Sequence, residues 1–429
     1  MRPIRAIQYV CFWHTWHGLA YLAVRMADDD NFISYSKATT GSRMNSGIDP
    51  IESSAMEILS DLGKFTATSY WEDDPADYLA DRARKAGLEV SIDEWGNVLA
   101  TKRGTDPAAP GIAFVAHTDH PGYEVVAKDG DQLTLKTLGG VGIGAGREGT
   151  SILVIDKNGD RIKATVTGSE PAKGDFPKSR ETVGWLGTDT VYAVLNNDSE
   201  IGDLPRPVVP DLPDFELEDG LIRMRAADDL GGCAAILAAL ESISNTATKG
   251  DVHGLFTRAE EVGLVGARLA AEHELLLKNT VIVSVETSSV LPGAEIGEGV
   301  VIRTGDRAAT FDYAAEAYLT EAAHKIKSAN PNFKIQRQLM SAGGCEAAAF
   351  KAFGYSVTGT AFPLGAWHNR GESGVEPEFI SKDDFVGGAQ LLAEAAKLAG
   401  TSPGGVLSRL IDSPADEADR LKSSRSERA

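Results

Sequence analysis

The chain has 429 residues, 42% hydrophobic and 24% charged, the balance of a globular protein with room for two or three domains and a large core. A formal net charge of −20 argues against a nucleic-acid partner, which needs a basic face, and fits a protein that handles cations or assembles as an oligomer. Three cysteines, Cys11, Cys233 and Cys345, offer neither a paired framework nor a CxxC spacing, which favours a reducing, cytoplasmic setting and argues against a thiolate zinc site.

The elements follow in chain order. "AIQYVCFWHTWHGLAYLAVR", preceded by Arg2 and Arg5, has the apolar character of a signal or anchor segment. Yet it carries His14 and His17, is barely long enough to span a bilayer and lacks a clear small-residue cleavage site. A polar, Ser-rich stretch follows, so residues 1–46 are expected to lie outside the fold, with Met26 and Met44 as alternative starts. "DPIESSAMEILSDLG" predicts a capped helix and "DPADYLADRARKAG" a second amphipathic one ending at glycine. "LEVSIDEWGNVLATKRG" predicts a hairpin turning at Trp95-Gly96-Asn97, and "GIAFVAHTDH" a buried strand that runs into polar residues.

From residue 125 to 212 short alternating runs such as "SILVIDKNGDRIKATVTG" are punctuated by Gly, Asn-Gly and Pro, with no helical period, which predicts a small all-β module, a barrel or sandwich. Helix and strand patterns then alternate regularly, from "DDLGGCAAILAALESI" through "GDVHGLFTR" and "NTVIVSVET" to "KDDFVGGAQLLAEAAKLAG". The expected class is α/β: a central, mainly parallel mixed sheet flanked by helices, with a small β-barrel inserted at 125–212. The α/β domain is expected to be discontinuous, 47–124 with 213–400, and the charged stretch 401–429 to be a flexible tail.

In open α/β sheets ligands sit at the carboxyl ends of the strands. "IAFVA" is followed by His117, Asp119 and His120; "LIRMRAA" by Asp228 and Asp229; "GLFTRA" by Glu260 and Glu261; "VIVSV" by Glu286; "TGTAFPLGAW" by His368. Each has a plainer reading alone. The Glu pair suits a helix start and the Asp pair an N-cap, His117 a satisfied core histidine, Glu286 a strand end, and His368 a loop. Chance does not readily bring five segments to one strand end with imidazoles and carboxylates and no surplus of basic residues. Crowded acids of this kind repel unless cations relieve them, and the set suits two divalent ions sharing a bridging carboxylate.

"VAHTDHPGYEV", "AADDLGGCAA", "TRAEEVGLVGA" and "GAWHN" resemble the motifs of the tetrahedral aminopeptidases, dinuclear metallopeptidases of the zinc exopeptidase superfamily. "IDEWGNVLA", "TLGGVGIGAGREGTSILVIDKNGDRIKATVTGSEP", "AEIGEGVVIRTGD" and "SAGGCEAAAFKAFG" extend the resemblance to about residues 48–400, and the long β-rich stretch before Asp228 is similar to that family's inserted β-domain. The resemblance implies that His117, Asp228 and Glu286 hold one metal. It implies further that Asp228 bridges, that Glu261 and His368 hold the second, that Asp119 orients His117, and that Glu260 is the general base. It implies zinc, with cobalt as the alternative, and short peptides with a free N-terminus as substrates. No nucleic acid and no membrane is expected as a partner, and the β-domain would build a homo-oligomer, a hollow dodecamer in the family.

Several positions depart from the family pattern. Glu286 stands where Asp is usual, His120 where an acid follows "HTD", "DDL" replaces Asp-Asp-Arg, and "GGCEA" replaces "GGTDA". The segment after His368 is longer than the family's His-Ser-Pro-x-Glu run, and "SEPAKG" lacks a histidine. These changes flank the pocket, so they bear on substrate and assembly more than on the chemistry. A dinuclear deacylase acting on acylated or modified amino acids would use the same metals. A non-catalytic oligomeric homologue would be marked by loss of a ligand or of the base, and all of these are present.

Overall fold

Helix α1 (Pro50–Leu62) begins where the Asp49 carboxylate accepts the main-chain N–H of Ile51 and Pro50 opens the first turn. It buries Ala55, Ile58, Leu59 and Leu62, a single stripe at helical spacing. Helix α2 (Asp73–Lys85) carries Asp73 and Asp74 in its first turn and Arg82, Arg84 and Lys85 in its last, both favourable to its dipole. Strands β1 (Glu89–Ile92) and β2 (Val98–Lys102) form the expected antiparallel hairpin, and β3 (Ile112–His117) is buried at every position, as a strand covered on both faces must be. This computed structural model describes residues 49–171, 188–372, 374–411 and 415–426; the expectation for residues 1–46 lies outside them.

Beyond β3 the chain enters the barrel. Strands β4 (Gly122–Asp129), β5 (Gln132–Leu138), β6 (Ser151–Ile155), β7 (Arg161–Pro171), β8 (Thr188–Leu195) and β9 (Arg206–Pro210) close in the order β4-β5-β8-β7-β6-β9, every pairing antiparallel. Alternate residues such as Val125, Leu135, Ile152, Val154, Val166, Val191 and Val208 fill its interior, which is the period-2 pattern of the sequence made solid.

The remaining elements complete the larger sheet. They are β10 (Glu216–Glu218), β11 (Leu221–Met224), α3 (Ala227–Ile243), β12 (Val252–Thr257), α4 (Val265–Glu272), β13 (Val281–Ser289), β14 (Val300–Gly305), α5 (Tyr313–Ala329), β15 (Ile335–Leu339), α6 (Glu346–Ala352), β16 (Ser356–Gly365), β17 (Glu378–Ser381), α7 (Lys382–Ala396) and α8 (Ala415–Ser426). Among the described residues the sheet order is β1-β2-β12-β3-β13-β16-β17-β11-β10, with β14 paired to β16 and β15 to β14. It is parallel at its centre, β12-β3-β13-β16, and antiparallel toward both ends. Helix α3 is buried on all sides because it lies between the sheet and helices α1 and α7, which explains its run of small and aliphatic residues. No described helix is long and apolar enough to cross a membrane.

The topology places the functional edge. The four central strands share a direction, so their carboxyl ends lie together, and β11, two antiparallel steps from β16, points the same way. His117 ends β3, Glu286 sits in β13, the Glu pair follows β12, Asp228 follows β11 and His368 follows β16.

Candidate metal centre

Three groups of donor atoms lie within 4.8 Å of one another: His117, Asp228 and Glu286; Asp228, Glu261 and His368; and His117, Glu260 and Glu261. All five candidate ligands and the candidate base therefore meet at one place. Asp228 stands between the two imidazoles. Its Oδ1 is 3.4 Å from Nε2 of His117 and its Oδ2 is 3.8 Å from Nε2 of His368, while Oε1 of Glu261 is 3.3 Å from the same His368 nitrogen.

The aspartate pair divides its labour. Asp228 and Asp229 both have non-helical dihedrals, so regular helix in α3 starts after them. Asp229 Oδ1 accepts the N–H of Gly232 at 3.0 Å, which makes it the cap, and Asp228 is free to face the imidazoles. The plain and the functional readings of that dipeptide each describe one of its residues.

Asp119 works through the main chain. Its Oδ1 accepts the N–H of Glu260 at 2.9 Å; its Oδ2 accepts the N–H of Glu261 at 3.1 Å and the hydroxyl of Ser69 at 2.6 Å. Nδ1 of His117 bonds the main-chain oxygen of Asp119 at 2.9 Å and lies 3.5 Å from its carboxylate, so Nε2 is the nitrogen turned to the site. One buried residue thus sets the imidazole tautomer and the loop of the two glutamates.

The electrostatics are those of crowded acid. Burial, reinforced by neighbouring carboxylates, pushes Glu260, Glu261 and Glu286 well above the usual carboxylate range. Burial opposes charge on His117 and Asp228 too, but the Asp119 and Asp228 carboxylates outweigh it at the imidazole and raise it, and the imidazole in turn lowers Asp228. Burial holds His368 down to about 4, so this ring is a neutral donor near neutral pH.

The donor set fits divalent cations. Oδ1 of Asp228 and Oε1 of Glu286 are buried without any hydrogen-bond donor, a costly condition that a bound cation would relieve. Two imidazoles and three carboxylates, with no cysteine among them, suit zinc or a similar borderline ion.

Residues outside the expected set complete the surroundings. Gly140, in the loop after β5, accepts from Nδ1 of His368 at 3.1 Å, so the barrel side helps orient a candidate ligand. His120 reaches the main-chain oxygen of Asp228 at 2.8 Å and Oδ1 of Asn369 at 3.0 Å. Glu378 accepts from the main-chain N–H groups of both Asp228 and His368. Glu346, fully buried, takes the hydroxyl of Ser284 at 3.0 Å behind Glu286. A glycine in a Gly-rich loop and two acids inside strand or helix starts carry no signal of this in the sequence; each is identified by what the fold sets beside it. A cavity of about 230 Å³ opens over the cluster, walled by Trp367, Arg303, Arg307 and Met340 as well as the candidate ligands. Trp367 stacks on His368 at 3.6 Å between ring centroids, with the Arg370 guanidinium 4.7 Å from its own ring. A second cavity of about 290 Å³, lined by Arg103, Asp251 and His253, contains none of the candidate residues.

The sequence model of the M42 glutamyl aminopeptidase family matches residues 96–372. A curated relative from Acetivibrio thermocellus, named as a provisional aminopeptidase, is 24% identical over 310 residues, 69% of this chain and 85% of the relative. Among solved structures, aminopeptidase APDkam598 of Desulfurococcus kamchatkensis aligns with a TM-score of 0.65 at 22% identity over 83% of this chain and 99% of its own. The TET1 peptidase of Pyrococcus horikoshii, described as assembling into a tetrahedron or a large octahedral shell, aligns at 0.63 and 21% over 80% and 99%. At these identities the two structures are similar in fold.

Proposed function

We propose, from the premise that this chain belongs to the M42 glutamyl aminopeptidase family and is a peptide hydrolase, that it removes N-terminal residues from short peptides with the help of two divalent ions. The observation that carries this reading is Asp228, whose two carboxylate oxygens face different imidazoles, each with its own further acid.

His117, Asp228 and Glu286 would hold one ion, and Asp228, Glu261 and His368 the other, with zinc as the first expectation and cobalt as the alternative. When bound, such a pair acidifies a water and polarises a carbonyl. The protein's own residues supply the rest. Glu260 would accept the proton of the attacking water and return it to the leaving amine, its carboxylate standing among the donors of both ion positions. Asp119 holds the main chain of Glu260 and so aims that carboxylate. Trp367 closes one wall of a cavity sized for a single residue rather than a folded chain. The free α-amino group of the substrate would lie among the acids, which disfavours a blocked N-terminus.

We extend to this chain the assembly described for the Pyrococcus horikoshii peptidase, with the barrel strands as the contact region. Sedimentation of the purified protein tests that part: a homo-oligomer is expected, and a monomer at micromolar concentration rejects it.

The activity is tested with a panel of free-amine aminoacyl and short-peptide substrates, their N-acetylated counterparts, and a Glu260→Gln variant. Zn²⁺- or Co²⁺-loaded protein is expected to turn over the free-amine substrates only, and the variant to lose roughly 10²- to 10⁴-fold in kcat while still binding ions. Turnover confined to the acetylated set would replace this reading with a deacylase.

A further inference from the structure

We propose that Glu378 is a positioning residue for the second ion position: its carboxylate ties the loop presenting Asp228 to the loop presenting His368. The proposal rests on the two-ion reading above.

Its place in the sheet makes this possible. Glu378 opens β17, which lies between β11 and β16; it stands opposite Met224 at the end of β11, and its neighbours Phe379 and Ile380 pair with Gly365 and Leu364 at the end of β16. Strand β11 runs on into Asp228 and β16 into His368. A side chain at this register sits at the exits of both strands.

Both carboxylate oxygens are used on those exits. Oε2 accepts the main-chain N–H of Asp228 at 3.0 Å and Oε1 that of His368 at 2.7 Å, with the residue fully buried. Glu378 does not line the cavity, so it acts through the two candidate ligands and not on a substrate.

The two loops need such a fixture. Ala366, His368 and Asn369 have φ of 51°, 54° and 56°, a left-handed run without a glycine. Non-glycine residues persist there only where the surroundings over-determine them. Asp228 is likewise held off helical geometry. His120 joins the same loops in parallel, through the oxygen of Asp228 and the side chain of Asn369, so loss of Glu378 weakens the geometry without removing every support.

The effect is therefore selective. The position formed by Asp228, Glu261 and His368 depends on both tied loops, while the one formed by His117, Asp228 and Glu286 depends on one. The test uses the full chain as wild type, Glu378→Ala and Glu378→Gln. The glutamine keeps shape and one acceptor but sets an amide NH₂ against a main-chain N–H. Zn²⁺ and Co²⁺ are titrated calorimetrically, ion-free protein is melted, and kcat and KM are measured on a free-amine substrate.

Wild type is expected to bind two ions per subunit. Both variants should retain one near wild-type affinity and bind the second roughly 10- to 100-fold more weakly. In Glu378→Gln, kcat should fall and recover in part with excess Co²⁺. Unchanged affinity for both ions in the variants overturns the proposal alone. Equal weakening of both, tracking a loss of melting temperature in ion-free protein, also overturns it, because that is a fold role only. If Glu378→Ala does not fold, Glu378→Gln decides by the same criteria. Fewer than two ions in wild type rejects the two-ion reading and this proposal together.

Discussion

Asp119 illustrates how much of this site is main-chain geometry. Its carboxylate receives the N–H groups of Glu260 and Glu261 and the Ser69 hydroxyl, all with the residue fully buried. Replacing it by alanine leaves the buried Ser69 hydroxyl and two half-buried main-chain N–H groups without an acceptor, and an orphaned buried donor costs about 1–3 kcal/mol. Asp119→Ala should therefore lose about 3 kcal/mol of unfolding free energy in urea and at least tenfold in kcat, since the Glu260 carboxylate is no longer aimed. Unchanged kcat in a folded Asp119→Ala protein would remove Asp119 from the catalytic account. Adjacent residues with unlike tasks recur here: Asp228 faces the imidazoles while Asp229 caps α3. Gly232 is required beside that cap, because an added Cβ would lie 2.4 Å from the Asp229 carboxylate. Gly232→Ala should displace Asp229, shift the start of α3 and weaken ion affinity, read by the same calorimetric titration; affinity equal to wild type would show that Asp228 is held independently of the cap.

At the scale of elements, the loop after β5 links the barrel to the candidate metal centre. Gly140 accepts from Nδ1 of His368, and a Cβ at that position would stand 2.8 Å from the same nitrogen. Gly140 does not lie at positive φ, so alanine there tests sterics and not backbone strain. Gly140→Ala should push the His368 ring aside and lower kcat by an order of magnitude or more with little change in melting temperature; unaltered kinetics would mean that the ring has room to move. This loop also marks the limit of what patterning discloses. The helices α1 and α2, the β1–β2 hairpin and the parallel centre were legible because their apolar residues repeat at 3.6 or 2 and their ends carry caps and glycines. The six candidate polar residues were legible because each follows an apolar run whose direction the α/β pattern implies. Strands β14, β15 and β17 were not read as strands: they are four to six residues long and are defined by pairing with residues far away in the chain. Glu378 and Gly140 were invisible for the same reason, since their partners are main-chain atoms that only the register brings near.

For the whole molecule, buried ionisable groups set how stability responds to ions and to pH. Ligands that bind only the folded state stabilise it by mass action, by about 2.7 kcal/mol at a hundredfold excess over Kd. Chelation should thus lower the melting temperature and added Zn²⁺ or Co²⁺ restore it, a result expected for folding-linked ion sites and not for adventitious surface binding. Acid sensitivity has a separate origin that persists after chelation. His253, in β12 and away from the acid cluster, bonds Thr101 at 2.9 Å; burial, reinforced by repulsion from Arg103, holds its imidazole down to about 4 against a partly offsetting attraction from Asp251. An unfolded histidine titrates near 6.5, so between about pH 6.5 and 4 the unfolded chain binds the proton and the folded one does not. Stability from this group is complete above that window and is lost as pH falls through it, by roughly 3 kcal/mol in all. The buried carboxylates of the ion-free site respond in the opposite sense, gaining stability as pH falls. The His253 contribution is therefore read in urea unfolding of chelated protein from pH 8 to 4 as the difference between wild type and a His253 variant. Because the unfolded His253 is what takes up the proton, His253→Gln should remove this contribution to the slope while starting from a lower stability at pH 8, having lost the bond to Thr101. A slope identical in wild type and variant would assign the acid response to the remaining buried histidines, His120 foremost, whose imidazole burial also holds down to about 4.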